Sequence, residues 1–142
     1  MKALKILNQF SSFKALNQQL EQYTKNQQTK LAGDIFELAV KLYLQTNPKY
    51  RTKLKNVWLL KEVKENIKQK LNLPNEDEGI DLIAETYDKR YWAIQAKYRS
   101  DPRETLTLGG SGGLATFNSL AFSYCKNIAH GLVCTTVDKP PK

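Results

Sequence analysis

Histidine and sulfur are scarce in this 142-residue sequence, which has one His, one Met and two Cys. A lone histidine, His130, leaves no Ser/His/Asp or Cys/His arrangement, and its place ahead of an apolar run reads as structural. Cys125 and Cys134 have no metal-type spacing around them, so no zinc site is expected. They read as reduced core thiols of a cytoplasmic protein. No apolar run approaches the ~20 residues of a membrane helix. The opening stretch, MKALKILNQFSSF, reads as too polar for a secretory signal. Repeats and extended low-complexity tracts are also missing. The glycine-rich run 109–113 lacks the Gly-Lys-Ser/Thr ending of a P-loop.

What is present suits one globular domain with a core: 41% hydrophobic and 25% charged residues. Net charge is +8, and its distribution is uneven. Between Lys49 and Lys70, eight basic residues face only Glu62 and Glu65, which leaves +6 in that segment. Such a concentration suits either a solvated helix face or a polyanionic partner, most simply a nucleic acid backbone.

The periodicity predicts a sequence of elements. Residues 12–27 read as a helix capped by Ser11 or Ser12, with Phe13, Leu16, Leu20 and Tyr23 on one side. A second helix is predicted from about Thr29 to Gln45, with Leu31, Ile35, Leu38 and Leu42 as its stripe and Phe36, Val40 and Tyr43 widening it. Asn47-Pro48 ends it. Residues 49–56 read as a basic linker, and Val57–Leu60 as a strand or the lead-in to a helix through Val63, Ile67 and Leu71. An acidic loop, 75–78, delivers the chain to Gly79.

Gly79 to Arg99 reads as two strands joined by a polar turn at Tyr87–Arg90. Gln95 and Lys97 are two apart and share a face. A suitable register adds Asp81 to it, although the sequence leaves the register open. Ser100–Arg103 reads as a turn, 109–113 as a loop, Leu114–Ile128 as a helix and 131–137 as a buried strand. A strand, crossover helix and strand imply that the last strand lies parallel to Tyr91–Tyr98. The expected fold class is α/β with a mixed central sheet flanked by helices. The chain stops five residues after its last predicted strand. That ending is expected of a domain cut from a longer protein, and a natural terminus would look the same.

Asp81, Gln95 and Lys97 together would offer a carboxylate, an amide oxygen and an ammonium. A hard cation such as Mg²⁺ accepts the first two, with the Ala96 carbonyl as a third donor and Glu37 as a fourth. Lys97, as a cation, would orient water or offset charge developing at phosphorus. The chemistry is metal-assisted phosphodiester hydrolysis. A hairpin with Asp, Gln and Lys on one wet face is also commonplace, and Glu37 also reads as a solvated acid on the polar stripe of its helix.

The residues Gly33–Glu37, Asp77–Asp81, Gln95-Ala96-Lys97 and His130–Thr136 resemble motifs of the PD-(D/E)XK nuclease superfamily, within it the Mrr-like restriction endonuclease domain. Lys55–Leu60 followed by Gly79–Glu85 is similar to the N-terminal nuclease domain of helicase-containing restriction enzymes, including type ISP enzymes. The resemblance implies a restriction-endonuclease-like fold over residues 29–138, with 1–28 as a helical extension and 139–142 as a linker to a C-terminal part. It implies catalytic roles for Glu37, Asp81, Gln95 and Lys97, metal ligation by Asp81, Gln95, Ala96 and Glu37, and Mg²⁺ as cofactor with Mn²⁺ substituting. Two positions depart from the usual pattern: Glu78 stands where a second glycine is frequent, and Gln95 replaces the more common acid. The implied partner is double-stranded DNA, with helicase and specificity functions elsewhere in a phage-defence parent. Candidate DNA contacts are Lys53, Lys55, Lys61, Lys64, Lys68 and Arg99, with Ser111 and Gly112 of the glycine loop. The alternatives are a non-catalytic DNA-binding module on the same fold and a junction-resolving or repair nuclease.

Overall fold

The computed structural model describes residues 16, 18–22, 29–74, 79–98 and 114–135. The acidic loop 75–78, Arg99, the 100–103 turn, the glycine loop with Ser111 and Gly112, and residues 136–142 lie outside the described residues. Helix α1 spans Thr29–Thr46 and α2 spans Pro48–Arg51. Strand β1 (Leu54–Leu59) runs into a 3₁₀ turn (Leu60–Glu62), and α3 spans Glu65–Leu71. Strands β2 (Leu82–Thr86) and β3 (Tyr91–Lys97) form the hairpin. Helix α4 (Leu114–Ser119) continues as a π-helical turn (Leu120–Tyr124) and leads to β4 (Ile128–Thr135). Residues 18–22 are helical, and Leu16 and Leu20 are buried with α1.

The four strands stand in the order β1-β2-β3-β4. Strand β2 runs antiparallel to both β1 and β3, and β4 pairs parallel to β3. The sheet is therefore mixed, as the strand–helix–strand pattern predicts. Helix α1 covers one face, burying Ile35, Phe36 and Leu44 against Leu82, Ala84 and Ile94. Leu60, Leu71, Phe117 and Ala121 cover the other face against Ile83, Tyr91 and Ala93. With both faces covered, Ile80 to Ala84 is buried at every position. Among the described residues no helix is long and apolar enough to cross a membrane.

Several local expectations are corrected. The 49–56 segment is no linker: Asn47 caps α2, its side chain accepting from the Lys49 N–H at 3.0 Å, and Pro48 occupies the first turn. Val57–Leu59 belong to a strand. The buried face of α1 is rotated from the expected stripe. Ile35, Phe36, Leu38 and Val40 are inside as expected and Ala32 and Leu44 join them, whereas Leu42 and Tyr43 are 40% and 52% exposed. Small Ala32 lets the helix approach the sheet, a signal that large-residue spacing misses. The 114–128 helix stops early, because the Cys125 N–H bonds to the Leu120 carbonyl at 2.8 Å in an i→i+5 turn. That extra residue per turn swings Tyr124 outward, and Ile128 opens β4 instead. Strand β4 is a half-buried edge, not a fully buried strand. Both cysteines are free, and burial pushes the Cys134 thiol up to about 11 and the Cys125 thiol up as well.

Candidate active site

The hairpin register bears on the question that alternation leaves open. Leu82 pairs with Ile94 and Ile83 with Ala93, and just beyond the last pair the Asp81 N–H reaches the Ile94 carbonyl, which sets Asp81 beside the Gln95 end of β3. Asp81 is held on three sides. Its N–H donates to the Ile94 carbonyl (2.9 Å), its carbonyl accepts from the Leu60 N–H (3.0 Å), and Oδ2 accepts from the Ala96 N–H (2.8 Å). A carboxylate clasped by a strand amide is a charge-assisted pair and fixes the side chain's direction. Asp81 is 8% exposed and Gln95 1%.

Gln95 carries the site's most informative atom. Its Oε1 is buried with no hydrogen-bond partner among the described residues. Leaving a buried acceptor unmatched costs about 1–3 kcal/mol. The amide end, Nε2, lies toward Gly79, at 3.8 Å from where a Cβ on that residue would sit. Gly79 has φ +129°, a conformation that needs glycine and that turns the chain into Ile80 and Asp81.

Lys97 ends β3 two residues after Gln95, on the same face and half-buried. Glu37 is half-buried on α1. Its neighbour Phe36 meets the Tyr98 ring at 5.9 Å, which brings that turn of α1 to the end of β3 that bears Lys97. Ala96 contributes its backbone N–H to Asp81. Sequence reasoning considers only its carbonyl. The antiparallel register alone could have revealed this amide contact.

The basic candidates divide between the two ends of the sheet. Lys61 and Lys64 follow Leu60, whose amide grips Asp81, and both are exposed at that end. Lys53 is exposed at the opposite end, where its carbonyl accepts from the Tyr87 N–H (3.1 Å). Lys55 is the extra residue of a bulge in β1 near that same end. Lys68 is half-buried on α3. Arg99, Ser111 and Gly112 lie outside the described residues.

Asp81, Gln95 Oε1 and the Ala96 carbonyl are oxygen donors of the kind a hard divalent cation takes. Among the described residues no three His, Cys, Asp or Glu side chains gather as a metal cluster. The oxygen donors beside one another on the hairpin are the Asp81 carboxylate, the Gln95 amide and backbone, and the unmatched Gln95 oxygen fits a cation there.

A family model described as restriction endonuclease, of the Mrr catalytic type, matches residues 45–141. No curated protein matches the sequence. Among solved structures, the chain is similar to the "ATP-dependent Type ISP restriction-modification enzyme LlaBIII bound to DNA". The match is at 30% identity and a TM-score of 0.52, over 76% of this chain. It spans only 6% of that enzyme. The family match and the mixed sheet agree, and on them the chain belongs to the Mrr-like restriction endonucleases, related to the type ISP enzymes.

Proposed function

We propose that this chain is a Mg²⁺-dependent DNA endonuclease domain, the nuclease module of a longer helicase-containing restriction enzyme. Residues 29–138 would form its core, with 1–28 as an extension and 139–142 leading on to further domains. The observation that carries the reading is the buried Gln95 Oε1, without a hydrogen-bond partner among the described residues, beside an Asp81 clasped by the Ala96 N–H. An amide oxygen held this way is costly for a merely structural strand and suited to an oxygen-seeking cation.

Each residue has a defined task in this reading. Asp81 supplies the negative charge that holds the cation, and its backbone clasp keeps the carboxylate oriented before substrate arrives. Gln95 Oε1 and the Ala96 carbonyl supply neutral oxygens, and Glu37 adds a carboxylate from α1. The bound cation would polarise a phosphoryl oxygen and acidify a water. The Lys97 ammonium orients the attacking water and offsets charge developing on the phosphate oxygens. Lys61 and Lys64, at the same end, suit contacts to neighbouring phosphates. Mn²⁺ substitutes for Mg²⁺ in this scheme, duplex DNA is the substrate, and the cytoplasm is its place of action.

The test is supercoiled plasmid incubated with the protein in Mg²⁺, in Mn²⁺ and in chelator, alongside Lys97→Ala. The expected result is metal-dependent nicking or linearisation that the variant lacks. Cleavage that persists in chelator, or in Lys97→Ala, overturns the assignment. Tight, salt-sensitive binding with no cleavage points to a DNA-binding module without hydrolysis.

A further inference from the structure

The end of the sheet away from Asp81 carries a feature that phosphodiester hydrolysis leaves unused. Four rings stand in line across four elements: Tyr43 at the end of α1, Tyr50 in α2, Trp92 in β3 and His130 in β4. Successive ring centroids are 5.9, 6.4 and 4.8 Å apart. Tyr43 and His130 are exposed, Tyr50 and Trp92 half-buried. Lys49 stands over the Tyr50 ring at 5.5 Å.

The last ring pair depends on a bulge. Tyr91 pairs with Ile128 but Trp92 pairs with His130, which leaves Ala129 as the extra residue. A bulge re-aims the side chains that follow it. Here it turns His130 onto the face that Trp92 occupies.

Trp92 and His130 line an open cleft of about 460 Å³ together with Lys53, Tyr87, Asp88 and Arg90. A second concavity of about 480 Å³ adjoins it through Arg90 and Ala129 and adds Lys70 and Lys89. Four cations thus face a single acid. That acid, Asp88, accepts from the Thr86 hydroxyl and pairs with Arg90 at 3.5 Å. Both side chains of the pair are more than two-thirds exposed, so water screens it and Arg90 keeps its reach for an anion.

We propose that this cleft is a second nucleic-acid site that takes an unpaired DNA strand, with bases stacked on Trp92 and His130 and phosphates held by Lys53 and Arg90. Exposed rings in a basic groove are how single strands are gripped without sequence preference. A duplex could use the cations but not the rings, because its base faces are already stacked. An acidic peptide would use the cations and have no need of the ring line. The site is also distinct from the Asp81 end. Trp92 and Lys97 are five residues apart on β3, about 16 Å, and point to opposite faces. The choice of DNA over RNA rests on the family assignment.

The test uses the 142-residue protein in chelator with labelled dT₁₂, rU₁₂ and a 12-base-pair duplex. The exposed positions His130 and Arg90 allow variants that leave the core alone. His130→Ala should weaken dT₁₂ binding about tenfold while duplex affinity moves by roughly twofold or less, and Arg90→Ala should weaken dT₁₂ binding about tenfold through its phosphates. Trp92→Phe, which keeps a ring, should retain dT₁₂ binding, and Lys97→Ala should retain it even where cleavage is lost. That last arm separates failure of this site from failure of the nuclease reading. The proposal is overturned if wild-type protein fails to bind dT₁₂, if His130→Ala weakens dT₁₂ and duplex equally, or if Arg90→Ala leaves dT₁₂ binding unchanged. Displacement of dT₁₂ by poly-glutamate at equal charge overturns it in favour of an acidic polypeptide. Binding of rU₁₂ more tightly than dT₁₂ overturns the choice of DNA.

Discussion

At the open end of the β2–β3 hairpin, Asp81 and Gln95 are 8% and 1% exposed. At its turn, Tyr87 is 63% exposed. The same two strands run between them. The difference lies in what covers each end. Around Asp81 the sheet is enclosed by α1 on one side and by the Leu60 turn and α4 on the other, so every polar atom there must find a partner or a ligand. Beyond Thr86 the charges of the turn meet water, and the Trp92 and His130 rings beside it meet at a tilt of 54°. Enclosure makes polar groups few and costly, whereas exposure makes them numerous and individually cheap.

The largest effect should come from the enclosed end. Asp81→Asn keeps an oxygen for the Ala96 N–H but removes the charge. It should lower metal-dependent plasmid nicking by about 100-fold or more, with the circular dichroism spectrum unchanged. It should leave dT₁₂ binding at the turn end intact. Equal loss at both ends would break the distinction drawn here.

Gly79→Ala comes next. At φ +129° an added Cβ is strained, although the space itself is adequate, since the nearest atoms would lie 3.8 Å and 4.0 Å away. The expected cost is about 1–3 kcal/mol, read as a lower urea midpoint. An unchanged midpoint would show that the approach to Asp81 is softer than its geometry suggests.

These two ends were not equally legible in the sequence. Gln95 and Lys97 are placed on one face by period-2 spacing, because a strand forces that alternation, whereas joining Asp81 to them needs a hairpin register that the sequence leaves open. The parallel placement of β4 follows from the crossover rule. The clasp of Asp81 by the Ala96 amide is invisible, since a backbone amide carries no residue signature. The ring line is invisible for another reason: Tyr43, Tyr50, Trp92 and His130 come from four elements, and the His130 orientation hangs on a one-residue bulge. Reading His130 as structural is compatible with this pairing but does not reveal it. The rotated face of α1 escapes because Ala32 contributes little to an apolar stripe but lets the helix sit close.

A smaller and opposite effect is expected at Gln95. Gln95→Leu removes the partnerless Oε1 and fills a similar volume. In metal-free buffer it should raise stability by about 1 kcal/mol, visible as a higher midpoint, while abolishing nicking. A gain in stability bought with activity would mark Gln95 as a functional compromise. A loss of stability would mean that its amide is structurally needed.

The smallest effect is at the rim of the enclosed end. Glu62 Oε1 accepts from the Leu59 N–H at 2.8 Å and meets Lys41 Nζ at 2.8 Å, tying α1 to the turn whose Leu60 amide grips Asp81. Burial pushes its carboxyl up, but the Lys41 ammonium and the Leu59 N–H outweigh it and hold the group below the usual carboxylate range. A folded-state pKa below the unfolded one means that the stabilisation is present above about pH 4.5 and is lost as pH falls through the lowered value. The pair is partly exposed, with side chains 20% and 39% accessible, so screening limits it to about half a kcal/mol. Glu62→Gln keeps an acceptor for Leu59 and removes the charge, and should cost that much at pH 7 and nothing near pH 3. A cost that persists at pH 3 would assign the contribution to shape or hydrogen bonding. The rim would then differ from the turn end only in packing, and charge would not separate them.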